Sequence, residues 1–447
     1  MNWNHMKQMK IKLGIVLSML LFASQIQASP ADTVVIIAGK LIDVKNATIL
    51  SNHAILIVGE YINKIGPKDV ILSQINENSK IINLESATVL PGLIDCHVHL
   101  GITYGNNYFR DLVTKTSIDN AIEATVNARK TLEAGFTSVR DLGTSKDFID
   151  IGLRNAINSG IIPGPRIQSA GIYIGSTGGH ADMIGISPYI IFDQFSGVAD
   201  GNDEIRKMIR FNVKNGADLI KIMLDGTIVE SEPVSDKSQY SQEEINVCAE
   251  EAKRWGKKVS AHVHGAGIIK KAINAGIYSI EHASYMDDEC IRLAKQKGTF
   301  IIPTPYWIKY TIDQMIQRGA PTSIIEKYQS LFKLQESNFK KIVQSGVKIV
   351  YGTDATIFPH GWNAKQFPLM VEWGMNPMKA LQSATIDASE LLGWSDKVGV
   401  LESGYYADII AVEENPVDNI GALEQVDFIM KGGRIVKNNF DQIPTVK

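Results

Sequence analysis

Histidines and an aspartate of this 447-residue chain stand where apolar, strand-like segments end. His97 and His99 are two positions apart, so on a strand both imidazoles project from the same face and can reach one cation. His262, His282 and Asp354 each end a later segment. Alone, the histidine pair suits a hydrogen-bonded core as well as a metal, and the single residues suit structural roles. Together they predict a metal site.

Lys221 lies within the otherwise apolar segment Asp218–Met223. A buried, protonated amine is costly unless it is paired, and burial lowers the pKa of a lysine. A neutral amine can react with CO₂ to form a carbamate, whose two oxygens can bridge two divalent ions. Alone, Lys221 suits an ion pair with a carboxylate such as Asp225; beside the histidines and Asp354 it favours the carbamate. Imidazole with carboxylate or carbamate oxygen favours Zn²⁺, although Mn²⁺, Co²⁺ and Fe²⁺ are compatible.

Eight strand-like segments alternate with amphipathic stretches of roughly 10–15 residues, the pattern of repeated βα units around a parallel sheet. Eight parallel strands close a (β/α)₈ TIM barrel, in which the site lies at the carboxyl ends of the strands. We therefore predict an α/β fold of this kind. The predicted strands are Val89–His97, Thr137–Asp141, Arg166–Ala170, Ala217–Met223, Lys258–His262, Ser279–His282, Thr299–Pro303 and Lys348–Thr353.

Local signals also predict connecting segments. Ser241 and Glu244 form a capping box that begins a helix over Ser241–Trp255. A second helix is predicted over Met378–Leu392, between Asn376-Pro377 and Gly393. The segments Ala181–Asp203 and Pro305–Glu326 are long for simple connections and are expected to form loops over a site.

Short strands rich in β-branched residues occur at both ends of the chain, and each group suits a small antiparallel unit. They are Thr33–Ala38, His53–Val58, Tyr61–Gly66 and Lys80–Leu84 at one end, and Ala407–Val412, Val426–Met430 and Arg434–Lys437 at the other.

Residues 1–28 are typical of a secretory signal peptide. Lys7, Lys10 and Lys12 precede the apolar run Leu13–Ala23, which is too short for the ~20 residues that span a bilayer. We expect cleavage near Ala28 and export to the periplasm or medium, with no stable membrane anchor. Without these residues the net charge of −3 becomes −6.

Composition excludes several classes of protein. The fractions of 45% hydrophobic and 21% charged residues are those of a globular chain. The acidic balance argues against a nucleic-acid binder. Cys96, Cys248 and Cys290 are widely spaced and are expected to be buried thiols rather than disulfides.

The candidate ligands resemble, in their order along the chain, the ligand set of the amidohydrolase superfamily, whose barrels hold one or two metals. These six residues are His97, His99, Lys221, His262, His282 and Asp354. The motifs Pro91–His99, Ile280-Glu281-His282, Gly352-Thr353-Asp354 and Ala407–Ile410 carry the resemblance, which covers nearly all of residues 29–447. It implies that the terminal strands combine into a small β-sandwich over residues 29–88 and 398–447, beside a barrel over residues 89–397.

Within the superfamily the chain is similar to the branch of imidazolonepropionase-like proteins and metallo-dipeptidases, which cut before a C-terminal proline or basic residue. Lys221 lies 41 residues before His262, which lies 20 residues before His282. Imidazolonepropionase itself lacks the bridging lysine, so the resemblance implies two metals. One would be held by His97, His99, Lys221 and Asp354, and the other by Lys221, His262 and His282.

The implied mechanism uses a hydroxide shared by the two cations as the nucleophile. Asp354 would take its proton and deliver it to the leaving amine. His180, in Gly178-Gly179-His180, would bind the substrate carbonyl or the oxyanion, although a packing role in its loop is the alternative.

Three further residues are weaker candidates for substrate binding: His264, Arg140 and Tyr285. Arg140 equally suits an ion pair with Asp141 or another acid, since a buried arginine needs a carboxylate.

The sequence thus predicts an exported hydrolase of a C–N amide bond in a small molecule, most simply a dipeptide. A cyclic amide, lactone or ester is the alternative substrate, because the same nucleophile would attack each of them. A non-catalytic relative is disfavoured because all six ligand positions are retained. A homo-oligomer is compatible with the sequence.

Overall fold

The computed structural model describes residues 33–75, 79–103, 110–111, 114–144, 147–182, 187, 189, 197–226 and 237–440. The predicted signal peptide and most of Ala181–Asp203 lie outside these residues. Within the described part of the chain, the helices are all too short or too polar to cross a bilayer.

The chain alternates strands and helices between two groups of terminal strands. The strands are β1 (Thr33–Asp43), β2 (Thr48–Val58), β3 (Tyr61–Pro67), β4 (Lys80–Pro91), β5 (Leu93–Val98), β6 (Phe136–Asp141), β7 (Arg166–Ser169), β8 (Ile220–Met223), β9 (Val259–Val263), β10 (Ser279–His282), β11 (Phe300–Ile302), β12 (Ile409–Val412), β13 (Phe428–Lys431) and β14 (Arg434–Asn438). The helices are α1 (Lys68–Leu72), α2 (Ser117–Glu133), α3 (Ile149–Asn158), α4 (Gly201–Lys214), α5 (Gln242–Arg254), α6 (Ala266–Ala275), α7 (Asp288–Lys297), α8 (Tyr306–Gln317), α9 (Thr322–Ser345), α10 (Gln366–Glu372), α11 (Pro377–Ser383) and α12 (Ile386–Leu392).

Strands from both ends of the chain form a separate seven-stranded sheet in the order β14-β13-β12-β4-β1-β2-β3. Its pairing is antiparallel except between β1 and β4, which are parallel. This differs from the all-antiparallel prediction because α1 provides a crossover before β4. At the β3 edge the amide of Ile62 donates to Tyr405 O at 2.9 Å. The sheet therefore curls back towards the segment that leads into β12.

The middle of the chain supplies two parallel sheets, β5-β6-β7 and β11-β10-β9-β8. Isolated parallel bridges connect Ile174 with Ile222, Ile301 with Ile349, and Val98 with Ala355. Within the predicted strand Lys348–Thr353, only Ile349 forms such a bridge, so this segment is not an extended strand. Gly352 lies so close to β5 and β11 that an added Cβ would overlap Ile302 Cγ2.

The predicted strand Val89–His97 is two strands in the structure. Residues Val89–Pro91 end β4 and pair with β12 in the terminal sheet, whereas β5 begins at Leu93 and pairs with β6. Gly92 separates them at a point where a side chain would collide with Thr137.

The capping box of Ser241 and Glu244 is confirmed, and the helix that it begins is α5. Two other predictions for connecting segments are wrong. Met378–Leu392 is two helices, because the backbone leaves helical geometry at Thr385. Pro305–Glu326 is mostly helical rather than a loop, since Trp307, Ile308 and Ile312 give α8 a face that packs in the core.

Candidate metal centre

His97, in β5, and His99, immediately after β5, point the same ring nitrogen at one carboxylate. The Nδ1 of His97 bonds Glu281 Oε2 at 2.9 Å, and the Nδ1 of His99 bonds Gly143 O at 2.7 Å. Their Nε2 atoms lie 3.5 and 3.7 Å from Asp354 Oδ1. Each ring is therefore held by its Nδ1, which leaves both Nε2 atoms and a carboxylate oxygen around one point.

Unusual backbone angles turn two of the site side chains at strand ends. His282 has φ +70° and Asp354 has φ +61°. Left-handed backbone is uncommon for residues other than glycine, and residues held there cluster at functional sites. The amide of Asp354 donates to His97 O at 2.7 Å, which anchors this end to β5.

The remaining histidines surround His282. Its ring centroid lies 4.5 Å from that of His262 and 5.0 Å from those of His97 and His264. The Nδ1 of His282 bonds Thr304 Oγ1 at 2.7 Å, and that of His264 bonds Ser284 Oγ at 2.8 Å. In both residues Nδ1 is the bonded nitrogen, as it is in His97 and His99.

Burial keeps the site histidines neutral, the form that binds metals. It lowers the pKa of His99 and His264 to about 3, that of His180 to about 4, and those of His97, His262 and His282 well below the usual 6.5. The positive charge of Lys221 lowers the pKa of each further. The lysine therefore lies near all six rings.

Burial shifts the pKa values of Lys221 and Asp354 in opposite directions. Burial lowers the pKa of Lys221 to about 8, although the carboxylates of Glu281 and Asp354 oppose this shift. Burial raises the pKa of Asp354 to about 7, against the charge of Lys221. Asp225, the alternative partner for the lysine, accepts hydrogen bonds from the amides of His264 and Gly265.

These side chains fit a pair of divalent ions. Ligand atoms lie within 4.8 Å of one another in two groups that share His282: His97, His282 and Asp354, and His262, His264 and His282. Among the described residues, the buried Nε2 of His262 has no hydrogen-bond partner. Leaving such an atom unsatisfied costs about 1–3 kcal/mol, which a bound ion would remove. The nitrogen and oxygen donors suit Zn²⁺.

The residues predicted to bind substrate take different positions. The ring of His180 stacks on that of His262 at 4.4 Å, so the structure brings it into the site. His264 also lies within the cluster, as a member of the second ligand group. Arg140 is buried and bonds Glu281, Ser279 and Cys96, so its guanidinium is occupied inside the fold rather than by Asp141. Tyr285 is half-buried, and its amide donates to His264 O.

Several residues that hold the ligands were not singled out from the sequence. Glu281, Thr304 and Ser284 each bond the Nδ1 of a site histidine. Asp95 accepts bonds from the amides of His97 and Thr353, which ties β5 to the Asp354 end. A usable signal existed for Glu281 and Asp95, which are acids within predicted strands and lie one and two residues before a predicted ligand.

Comparisons with known proteins agree with this geometry. The amidohydrolase family model matches residues 88–437. The chain is 34% identical over 373 residues to the ochratoxinase of Aspergillus niger, covering 78% of this chain and 75% of that protein. A solved structure of a Xaa-Pro dipeptidase with bound methionine is 39% identical, with a TM-score of 0.84 and coverage of 91% and 100%. The imidazolonepropionase of Streptococcus gordonii is 22% identical, covering 84% and 87%.

Proposed function

The chain belongs to the amidohydrolase family and is a hydrolase of amide bonds, and on that premise we propose that it is a binuclear, metal-dependent dipeptidase. The preferred substrates are dipeptides with a C-terminal proline or basic residue. The observation that carries the proposal is the convergence of His97, His99 and Asp354 with His262 and His282 around a buried lysine. Similarity to a Xaa-Pro dipeptidase supports the choice of substrate.

In this proposal His97, His99 and Asp354 would hold one ion, His262 and His282 would hold the other, and Lys221 would be a ligand of both as a carbamate. When bound, two Zn²⁺ ions would activate a water and polarise the scissile carbonyl. Asp354 takes a proton from the attacking water at its carboxylate and returns it to the leaving nitrogen. In the metal-free site, burial raises the pKa of the Asp354 carboxyl to about 7.

His180 would orient the substrate beside these groups. Its ring lies against that of His262, and its amide donates to Gln239 Oε1 at 3.2 Å, which fixes its loop. A neutral imidazole can donate one hydrogen bond to a carbonyl oxygen as negative charge develops there. His264 is a second such contact.

The proposal also includes a closed barrel, a two-layered sandwich and export of the protein. The two parallel sheets and residues 348–355 form a closed (β/α)₈ barrel, for which the three isolated bridges are support. The terminal strands form a two-layered sandwich, for which the curled sheet is support. Residues 1–28 direct export and are removed near Ala28.

A dipeptide library varied at the C-terminal residue tests the substrate assignment. The purified, Zn²⁺-loaded protein is assayed beside the Asp354→Asn variant prepared in the same way. We expect hydrolysis of dipeptides ending in proline, arginine or lysine by the wild type only, which excludes a contaminating peptidase. Hydrolysis of hydantoins or lactones with no dipeptide cleaved would contradict the dipeptidase proposal and favour the alternative substrates.

A further inference from the structure

Glu281 is a fully buried carboxylate that contacts a site histidine without belonging to either ligand group. Its Oε2 bonds the Nδ1 of His97 at 2.9 Å. Its Oε1 accepts three hydrogen bonds: from Arg140 Nη2 at 2.7 Å, Ser260 Oγ at 2.7 Å and Ser279 Oγ at 2.8 Å.

Arg140 determines the direction of these hydrogen bonds. A guanidinium can only donate, so its bond to Ser279 Oγ, at 2.8 Å, makes the serine hydroxyl an acceptor there. The Ser279 hydrogen is then directed to Glu281. The ion pair with the Arg140 guanidinium, at 2.7 Å, favours the ionised form of Glu281, whose oxygens have only lone pairs to offer His97.

The hydrogen of the His97 ring must consequently lie on Nδ1. A neutral imidazole carries one hydrogen, so the lone pair lies on Nε2, which is the nitrogen nearest Asp354. Only a lone pair can bind a metal, and the tautomer of His97 therefore decides whether this ligand is usable.

We propose that Glu281, held by Arg140, is a positioning residue that fixes His97 in the Nδ1–H tautomer and aims its Nε2 lone pair at the metal. This inference rests on the proposed function and deepens it. It assigns the buried Arg140–Glu281 pair, which touches no substrate, a role in metal affinity.

The Glu281→Gln variant gives the sharpest test, because it keeps the size of the side chain and replaces one acceptor oxygen with an NH₂ donor. The donors of Arg140, Ser260 and Ser279 will retain the amide oxygen on their side. The amide NH₂ then faces His97, whose Nδ1 must become an acceptor while its hydrogen moves to Nε2. The variant thus inverts the tautomer and points a hydrogen at the metal position.

Two measurements follow this change. The ¹⁵N shifts of the His97 ring in metal-free protein, assigned by their loss in His97→Ala, should show Nδ1–H in the wild type and Nε2–H in Glu281→Gln. Competition with a chromophoric chelator should show Zn²⁺ affinity reduced by about 10–100-fold in the variant, the usual effect of losing a carboxylate behind a histidine ligand.

Asp408→Asn is the matched control. Asp408 is also a buried carboxylate paired with an arginine, Arg166, but it contacts none of the site histidines. Its loss should leave Zn²⁺ affinity and the His97 tautomer unchanged.

Three results would overturn the inference: Nε2–H at His97 in the wild type, an unchanged tautomer in Glu281→Gln, or unchanged Zn²⁺ affinity in that variant. The wild-type tautomer decides the matter even if Glu281→Gln does not fold. A wild-type protein that binds no metal would instead contradict the proposed function, while the tautomer could still be measured.

Discussion

At the scale of the single residue, the proposed function gives Asp354 two roles, as a metal ligand and as a carrier of a proton. Its Oδ1 lies 3.5 and 3.7 Å from the Nε2 atoms of His97 and His99, and burial raises its pKa. A metal ligand requires only an oxygen lone pair, which an amide also has. Proton transfer requires a group that can be protonated. The two roles can therefore be separated by removing only the ability to carry a proton.

The Asp354→Asn variant should lose turnover by about 10²–10⁴-fold, the range for a general acid–base. Metal binding should persist, because the amide oxygen can still act as a ligand. Rates with a cleaved dipeptide and metal analysis of the same preparation measure both effects. Asp387→Asn, which alters another carboxyl whose pKa burial raises, should keep its activity. Near-normal turnover in Asp354→Asn would remove this residue from proton transfer.

Lys221→Ala tests the bridging carbamate. We expect about two equivalents of metal per wild-type chain, as in other two-ion sites, and one or fewer in the variant. Metal content by mass spectrometry after dialysis provides the measurement. Lys258 is a suitable control, since burial lowers its pKa as well but its amine bonds Tyr278 and Leu391 instead. One equivalent in the wild type, with no loss in Lys221→Ala, would rule out the carbamate.

At the scale of the element, the site depends on how tightly the strands approach one another. Gly352 lies between β5 and β11, and an added Cβ would be 2.9 Å from His97 Cβ as well as overlapping Ile302. This position therefore links backbone packing directly to a ligand.

Gly352→Ala should reduce the free energy of unfolding by about 1–3 kcal/mol, the usual cost of overpacking. Activity should fall too, because His97 and Asp354 are displaced together. Urea unfolding and dipeptide assays measure the two effects. In contrast, Gly152→Ala adds a methyl group with nothing within 4 Å in α3 and should stabilise the protein by up to about 1 kcal/mol. Equal behaviour of the two variants would contradict the packing argument.

Helix α7, which follows β10, depends on the cap at Asp287. The side chain of Asp287 accepts from the Cys290 amide at 2.8 Å and from Lys270 Nζ at 2.9 Å. Burial alone would raise the pKa of Asp287, but these bonds outweigh it and lower the pKa to about 2.

Asp287→Ala should therefore cost about 1 kcal/mol of stability at neutral pH, the usual value for an N-cap. A depressed native pKa stabilises the protein above the unfolded-state pKa of about 4, and this contribution is lost as the pH falls through 2. The stability difference from wild type should thus shrink between pH 4 and pH 2 in urea titrations. Asp288→Ala, which removes an acid of the first helical turn but leaves the cap in place, should cost less stability than Asp287→Ala.

Periodicity and strand-end positions were sufficient to predict most of the parallel strands and to place His97, His99 and Lys221 near one another. They did not show that Val89–His97 is divided between two sheets or that Lys348–Thr353 lacks an extended ladder. The role of Glu281 could not be predicted, because its partner His97 lies 184 residues away and only the packed fold brings them together. The parallel pairing of β1 with β4 was missed for the same reason. Long-range pairing is not encoded in the local pattern of either strand.

At the scale of the whole molecule, the terminal sheet is attached to the parallel strands by an ion pair and a cation–π contact, both made by Arg166. Arg166, at the start of β7, donates to Asp408 at 2.9 Å and lies 3.6 Å above the ring of Tyr406. The pair therefore joins the sheet built from the chain ends to the region that carries the site.

Export is tested on the whole chain expressed with its first 28 residues. N-terminal sequencing of protein from the periplasm or medium should begin at Ser29, after removal of a segment with a basic start and an apolar centre. Replacing Leu20 and Leu21 with aspartate should retain the precursor in the cytoplasm. An exported protein that still begins at Met1 would contradict cleavage.

The position of β4 between β1 and β12 has a consequence for biosynthesis. Because β12 begins at Ile409, one edge of β4 has no partner strand during synthesis until residues 409–412 have been made. The terminal sheet can therefore be completed only after the catalytic region between its two groups of strands has been synthesised. A protein truncated before residue 409 thus lacks β12 and keeps one edge of β4 exposed, and exposed strand edges promote aggregation.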